Sequence, residues 1–148
     1  EGLAAEHAAR LGSETDLAVV AEVFAKMETA HAKTNPAEEA QLDAEFHMAI
    51  LEASHNVIML HMMRSMFQLL REGVFYNRQI MFKQRTTRDA LLDQHRAIND
   101  ALQARNPDAA RAAVVAHLDF VASCLRDQQK ADHYEAVAKQ RLEHEQSR

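Results

Sequence analysis

Turn-forming residues are scarce in this chain of 148 residues, which has only three glycines and two prolines. Alanine, leucine, glutamate, glutamine and methionine are abundant instead, and all five are good helix formers. No segment shows the alternating apolar and polar pattern of a half-buried strand. The composition therefore predicts an all-α fold, and the length suits one domain that can bury a core of its own.

Two further absences bear on where the protein works. The single cysteine, Cys124, cannot form a disulfide within the chain, and its isolation fits a reducing compartment. No apolar run reaches the length of a membrane span, and no charged-then-apolar leader opens the sequence. We therefore expect a cytoplasmic protein that does not contact a membrane.

The charge pattern offers no surface for nucleic acid. The formal net charge is -5, and acidic and basic residues are interspersed along the chain. A protein that grips DNA usually gathers lysine and arginine into a basic stripe that neutralises phosphates. We therefore expect this chain not to bind DNA by itself.

Capping signals divide the chain into about six to seven helices. Candidate N-caps are Ser13 with Asp16 as an acidic capping box, Asn35 before Pro36, Thr86 or Thr87, and Asn106 before Pro107. A break at residues 54–56 precedes a long helix that should run from Val57 to about Phe82. Because short connections favour antiparallel neighbours, the predicted fold is an antiparallel helical bundle.

The long helix is rich in methionine. Its five methionines are Met59, Met62, Met63, Met66 and Met81. Methionine fills irregular gaps in cores and also adapts to ligands and partner surfaces. We interpret these side chains as core, with a pocket wall or a partner-facing surface as the alternatives.

The segment LDAEFHMAI carries Asp43 and His47 four positions apart, which places both side chains on one face of a helix. Two more histidines, His95 and His117, fall within the apolar stripes of the last two helices and should point to the core. A buried imidazole needs a hydrogen-bond partner or a metal. One carboxylate with three neutral imidazoles suits a divalent ion such as zinc, nickel or manganese, and the spacing leaves both interpretations open.

A different metal site is also conceivable. The pairs Glu28-x-x-His31 and Glu52-x-x-His55 are two copies of the unit that builds di-iron sites in four-helix bundles. Both copies fall at helix ends, and the two further inward glutamates that such a site needs are not evident. The di-iron alternative is therefore the weaker one.

The order of these motifs resembles the FadR-type C-terminal effector domain of GntR-superfamily transcription regulators. The D-x3-H motif of LDAEFHMAI is followed by ASHN, a long helix, QHRAINDAL, and a P-x-A-A-R segment that leads to AAVVAHLDFV. In the metal-binding branch of that family, the matching aspartate and histidines hold a metal ion. The resemblance thus implies a metal site, with zinc as the first choice, formed by Asp43, His47, His95 and His117.

The resemblance also implies a domain organisation. It covers about residues 1–125, which are expected to form a metal-dependent effector-binding and dimerisation domain whose first helix is truncated. Residues 126–148 should be a polar continuation of the last helix. In this family a winged-helix domain precedes the effector domain, and we expect residues 1–148 not to include it. We therefore expect a homodimer that reaches DNA only through the missing N-terminal domain.

The segments ASHN, MMRSM and NRQIMF look most similar to those of regulators of lactate and glycolate utilisation. The implied effector is a small 2-hydroxy acid, L-lactate or glycolate, that chelates the metal. Its carboxylate should also meet a guanidinium, because the planar donor fork of arginine matches a carboxylate. The candidates for this contact are Arg64 and Arg78, with Arg71 as a weaker third choice.

Two other functions compete with effector sensing. In one alternative, the metal only holds helices together in a structural dimerisation module. In the other, the site is that of a metal-dependent enzyme that acts on small hydroxy acids. An enzyme would need a nucleophile or a general base beside the metal. Cys124 is expected in the core and Glu45 is expected to point away, so we predict that the chain is not an enzyme.

Overall fold

A computed structural model of the chain describes residues 1–69, 81–82 and 85–147, and within these ranges it has six α-helices and no strand. The helices are α1 (Gly2–Leu11), α2 (Glu14–Lys33), α3 (Pro36–Ala53), α4 (Val57–Leu69), α5 (Arg85–Gln103) and α6 (Pro107–Gln146). The predicted all-α helical bundle is confirmed.

Three of the predicted N-caps form the expected contacts. The Ser13 hydroxyl accepts a hydrogen bond from the Asp16 backbone N–H at 3.1 Å, and the Asp16 carboxylate accepts one from the Ser13 backbone N–H at 2.8 Å. Asn35 and Asn106 each accept a hydrogen bond from the backbone N–H three residues on. These contacts satisfy donors that the first turn of a helix leaves free.

Two predicted helix boundaries are not confirmed. The helix α5 begins at Arg85, so Thr86 and Thr87 lie in its first turn and the prediction that one of them is the cap is wrong. Threonine occurs in first turns as well as at caps, so its presence locates a helix start only to within a residue or two. The continuation of α4 to about Phe82 falls mostly outside the described residues.

Several helices end without a glycine. Thr34, His55 and Arg105 follow α2, α3 and α5 in the left-handed region, with φ values of 57°, 52° and 52°. Glycine usually takes this position because it has no Cβ. Gly12, after α1, is needed for a different reason: a Cβ there would lie 2.5 Å from the carbonyl oxygen of Ala8.

The helix α3 lies at the centre of the packing. It contacts α1, α2 and α4, and the α2–α3 contact is the most extensive, while α5 packs on α1 and α2. The largest fully buried apolar side chains are Phe46, Leu51, Leu91, Ile98 and Leu102. Each contributes about 1.5–3 kcal/mol by leaving water. Because α3 and α5 supply all five, polar residues on the same faces of these helices are also buried.

The helix α4 is only partly buried. Leu60, Met63 and Phe67 are half-buried, whereas Met62 and Met66 are 61% and 48% exposed. The interpretation of the methionine-rich helix as core is therefore wrong for Met62 and Met66. Helical spacing correctly grouped the apolar residues, but this helix has apolar side chains on more than one face, and only one face packs inward.

The chain divides into two compact units, Glu1–His117 and Leu118–Arg148. The first contains α1 to α5 and the beginning of α6. The second contains the rest of α6, whose side chains are mostly exposed from Arg126 onwards. The predicted division after residue 125 stays a prediction. None of the described helices combines the length and apolar character that crossing a membrane requires.

Candidate metal centre

Four buried polar side chains meet inside the first unit. Asp43 and His47 come from α3, His95 from α5 and His117 from α6, and each can offer one ligand atom such that all four atoms lie within 4.8 Å of one another. None of the four is more than 5% exposed. Among the described residues, this is the one group of three or more acidic, histidine or cysteine side chains with a geometry suited to a metal ion.

The three imidazoles are packed against one another. The rings of His47 and His117 are stacked with centroids 5.1 Å apart, and His95 lies 4.5 Å from His117 and 5.5 Å from His47. The ring of Phe46, which is fully buried, meets His95 edge-on at 5.2 Å. The imidazoles are therefore held by neighbouring rings and kept from water.

His95 indicates that the group suits a metal. Its side chain is fully buried, yet neither of its ring nitrogens makes a hydrogen bond with any residue in the described ranges. An oxygen of Asp43 lies 3.0 Å from Nε2 of His95 and 3.8 Å from Nε2 of His47, but the direction is wrong for a hydrogen bond to His95. A buried polar group without a partner costs about 1–3 kcal/mol. A divalent ion would give one of these nitrogens the partner that it lacks.

Two further residues touch the ligand imidazoles from outside. The Oε1 atom of Gln94 lies 3.0 Å from Nδ1 of His117 and accepts a hydrogen bond from it. A carboxylate oxygen of Glu1 lies 2.8 Å from Nδ1 of His47. The Glu1 contact is a close ion pair without hydrogen-bond geometry. The Gln94 contact is of the kind that metal-binding histidines commonly make through their other ring nitrogen.

Two ionisable side chains at the site have lowered pKa values. Burial, together with the neighbouring His95 and His47, lowers the pKa of His117 to about 3. Burial alone would raise the pKa of the Glu1 carboxyl, but contact with His47 lowers it to about 2. At neutral pH His117 is therefore an uncharged imidazole, which is the form that binds metals.

A second polar group, which we call the Arg88 cluster, consists of the buried Arg88 and Glu39, the half-buried His31 and the exposed Asp89. Arg88 donates from Nε to an oxygen of Glu39 at 2.8 Å and from Nη2 to the carbonyl of His31 at 2.7 Å. Its Nη2 also lies 2.8 Å from the same Glu39 oxygen, as an ion pair. His31 lies 3.2 Å from the other oxygen of Glu39 and 3.0 Å from Asp89. Glu39 and Arg88 are 4% and 6% exposed, and the charges of this buried pair compensate one another.

A small cavity lies between the two groups. Its lining consists of Met27, Glu39, Phe82, Leu92 and His95. Its volume is about 10 Å³, which is room for about one water molecule. The walls are almost entirely apolar, so a molecule that enters here would find polar partners only near His95 and Glu39.

Of the arginines predicted to contact an effector, Arg64 lies within the described residues. Arg64 lies on α4, is half-exposed, and donates to Glu52 at 2.6 Å. Arg78 and Arg71 lie outside the described residues. The structure therefore describes one of the three candidates, and its guanidinium is bonded to a surface carboxylate.

The di-iron alternative is not supported by the positions of its residues. Glu28 bonds to Arg96 and Glu52 bonds to Arg64, all four on the surface. His31 belongs to the Arg88 cluster. Its counterpart His55 lies at the surface, 2.8 Å from Asp16. The two E-x-x-H units thus have separate partners and do not converge.

Sequence reasoning missed Gln94, Glu1 and the Arg88 cluster. A usable signal existed for Arg88, which precedes His95 by seven residues and so shares its helix face. Glu39 likewise precedes Asp43 by four residues. Nothing in the spacing marks Glu1 or Gln94, since their roles depend on which neighbouring helix lies against them.

Comparison with known proteins gives a family match over most of the chain. The profile of the FCD domain matches residues 1–120. In structure, the chain is similar to McbR/YncC of E. coli, with a TM-score of 0.73 and 18% identity over 86% of this chain and 59% of that one. At this identity the likeness shows the fold.

Three curated relatives are transcription regulators by name. The putative L-lactate dehydrogenase operon regulatory protein of Escherichia coli K12 is 41% identical over 96 residues, 64% of this chain and 37% of that protein. The Glc operon transcriptional activator of the same strain is 31% identical over 90% of this chain and 54% of its own length. The HTH-type transcriptional regulator LutR of Bacillus subtilis 168 is 33% identical over 80% and 53%. This chain thus spans about half or less of each relative, and all three are regulators, not enzymes.

Proposed function

The chain belongs to the FCD domain family of GntR-type transcription regulators, and from that premise we propose that it senses a small carboxylate through a bound divalent metal ion. The observation that carries the proposal is the buried group of Asp43, His47, His95 and His117, whose ligand atoms lie within 4.8 Å of one another. The lack of any hydrogen bond from His95 to a described residue supports it further.

Zinc is the metal that we propose first, with nickel and manganese as alternatives. Three neutral imidazoles and one carboxylate are borderline ligands, which suit these ions better than calcium or magnesium. When bound, such an ion supplies Lewis acidity toward an anionic oxygen. The residues of this chain would hold the ion and keep bulk water from it.

The proposed effector is a small 2-hydroxycarboxylate, L-lactate or glycolate. Two relatives are named for the L-lactate dehydrogenase and Glc operons. A carboxylate and an adjacent hydroxyl can chelate a metal together. Arg64 and Arg78 remain the proposed partners of the carboxylate, and Arg64 would have to exchange Glu52 for the effector.

We further propose a cytoplasmic homodimer whose DNA contacts are made by a segment outside this chain. The curated relatives extend well beyond the matched region. This chain is acidic overall, with a net charge of -5, which disfavours contacts with phosphates. Light scattering should therefore report about twice the chain mass of 16.7 kDa. A strict monomer at micromolar concentration would contradict the dimer.

Elemental analysis of the purified chain tests the metal. The wild type should carry one equivalent, and His95→Ala and His117→Ala should each lose it. His133→Ala, at an exposed position outside the first unit, is the matched control and should keep the metal. Stoichiometric metal in the His117→Ala variant would show that the ion is bound elsewhere.

Calorimetry tests the effector. Lactate should bind the metal-loaded protein and not the chelated one, and Arg64→Ala or Arg78→Ala should weaken binding at least tenfold, about 1.4 kcal/mol. If hydroxy acids have no effect and citrate binds, the effector class is wrong while the metal site stands. If the metal raises the melting temperature and no carboxylate binds, the structural-staple alternative is correct. Turnover of the acids would favour the enzyme.

A further inference from the structure

Gln94 connects the two helices that supply the last two histidines of the metal group. It lies on α5 immediately before His95 and is half-buried. Its side-chain oxygen accepts a hydrogen bond from Nδ1 of His117 on α6, with the two atoms 3.0 Å apart. The helix α5 thus contributes His95 to the group directly and also contacts, through the adjacent residue, another member of it.

This contact decides which nitrogen of His117 is free. A neutral imidazole carries one proton, and the nitrogen without it has the lone pair that binds a metal. An amide oxygen only accepts hydrogen bonds, so its position opposite Nδ1 places the proton there. Nε2 is then the nitrogen with the lone pair. His95, by contrast, has no hydrogen-bond partner among the described residues.

We propose that Gln94 is a positioning residue of the metal site: it holds His117 as the tautomer with the proton on Nδ1, so that Nε2 is the ligand atom. The consequence for metal affinity rests on the proposed function, whereas the consequence for the tautomer concerns this chain alone. Without the amide oxygen, the proton would distribute between the two nitrogens and the ring would lose one of the contacts that fix its orientation.

Two substitutions at Gln94 separate the acceptor from the bulk of the side chain. Gln94→Leu removes the oxygen and should weaken zinc binding by about 10-fold to 100-fold, the usual range for an outer partner of a metal-binding histidine. Gln94→Glu keeps an acceptor and should bind zinc at least as tightly as the wild type. The affinities are measured by competition with a chromophoric chelator.

The matched control lies on the same helix. Gln103 donates to the carbonyl of Leu17 at 2.9 Å and to Asn99 at 3.2 Å. Gln103→Leu therefore removes two partly buried hydrogen bonds and should lower the melting temperature, but it should leave zinc affinity unchanged. Equal losses of zinc affinity in Gln94→Leu and Gln103→Leu would show that Gln94 acts only through general stability, and would overturn the proposal.

The tautomer itself is read by long-range proton–nitrogen NMR of the histidine rings in the metal-free chain. The wild type and Gln94→Glu should show His117 protonated at Nδ1, Gln94→Leu should show a mixture, and Gln103→Leu should match the wild type. A wild-type His117 protonated at Nε2 overturns the proposal without any variant being made. Failure of the wild type to bind zinc, nickel or manganese would instead refute the proposed function, and the spectra would still decide whether Gln94 sets the tautomer of His117.

Discussion

The helices α3 and α5 contribute to two polar groups: Asp43, His47, His95 and His117, which we call the metal group, and the Arg88 cluster. The two groups differ in how completely their buried side chains are hydrogen-bonded. The helix α3 supplies Glu39 to one and Asp43 to the other, and α5 supplies Arg88 and His95. In the Arg88 cluster, Arg88 binds one oxygen of Glu39 and His31 lies at the other. In the metal group, His95 is more deeply buried and makes no hydrogen bond to a described residue.

We interpret this difference as one between a polar group that serves the structure and one that serves the proposed function. A buried charge with a complete set of partners needs nothing further from solution, although it stabilises the fold little compared with an apolar pair. A buried polar group that the protein leaves incomplete is costly and persists where it serves a function. Both groups contain buried polar side chains, so burial alone does not distinguish the proposed site from the Arg88 cluster. The hydrogen bonding of the buried side chains distinguishes the two.

The largest effect on stability is expected from removing the guanidinium of Arg88 from the Arg88 cluster. Arg88→Met leaves the Glu39 carboxylate buried without its main partner, which should cost about 3–5 kcal/mol of unfolding free energy. Arg96→Met is the control on the same helix, because its ion pairs with Glu28 and Asp93 are exposed and should contribute about 0–1 kcal/mol. Urea denaturation of the metal-free proteins measures both. Similar losses in the two variants would show that burial does not distinguish these pairs.

The next largest effect on stability should come from adding zinc to the metal group. Zinc at one hundred times its dissociation constant should raise the unfolding free energy of the wild type by about 2.7 kcal/mol, because the ion binds only the folded state. Arg88→Met, though less stable, should gain the same increment. His117→Ala should gain nothing. An increment that disappears in Arg88→Met and survives in His117→Ala would reverse the assignment of the two groups.

A smaller change in stability is expected from replacing His95 in the metal-free protein. His95→Leu replaces a fully buried imidazole that makes no hydrogen bond to the described residues by an apolar side chain of similar size. The metal-free variant should be as stable as the wild type or more stable by about 1 kcal/mol, because a buried polar group without a partner is removed. Thermal unfolding in a chelator measures this. A loss above about 2 kcal/mol would show that the imidazole stabilises the fold and that the group is not incomplete.

The sequence predicted most features that depend on one helix and missed the contacts that depend on two. The caps at Ser13, Asn35 and Asn106 follow from local hydrogen bonds, and the face shared by Asp43 and His47 follows from helical spacing. The resemblance to a known family then connected these residues to His95 and His117, which spacing alone left open.

The missed contacts are all between helices. Glu39 and Arg88 are 49 residues apart in sequence, and Gln94 reaches His117 across 23 residues. Each contact depends on how α5 is rotated against α3 or α6, and helical periodicity carries no information about that rotation. The spacing shows which side chains face inward, and only the packed structure shows which partner each one meets.

The smallest effect is expected at Arg64, which adds an exposed pair to the comparison. Its guanidinium lies 2.6 Å from Glu52, and both side chains are about half-exposed, at 50% and 51%. Water and salt screen such a pair, so Arg64→Ala and the control Glu52→Gln should each change the unfolding free energy by less than about 1 kcal/mol.

Because neither variant is destabilised, their effector affinities can be compared directly. If Arg64 binds the effector, Arg64→Ala should weaken lactate binding, whereas Glu52→Gln should strengthen it by releasing the guanidinium from its competing carboxylate. Calorimetry with the metal-loaded proteins measures both, and equal lactate affinities in the two variants would remove Arg64 from the effector site.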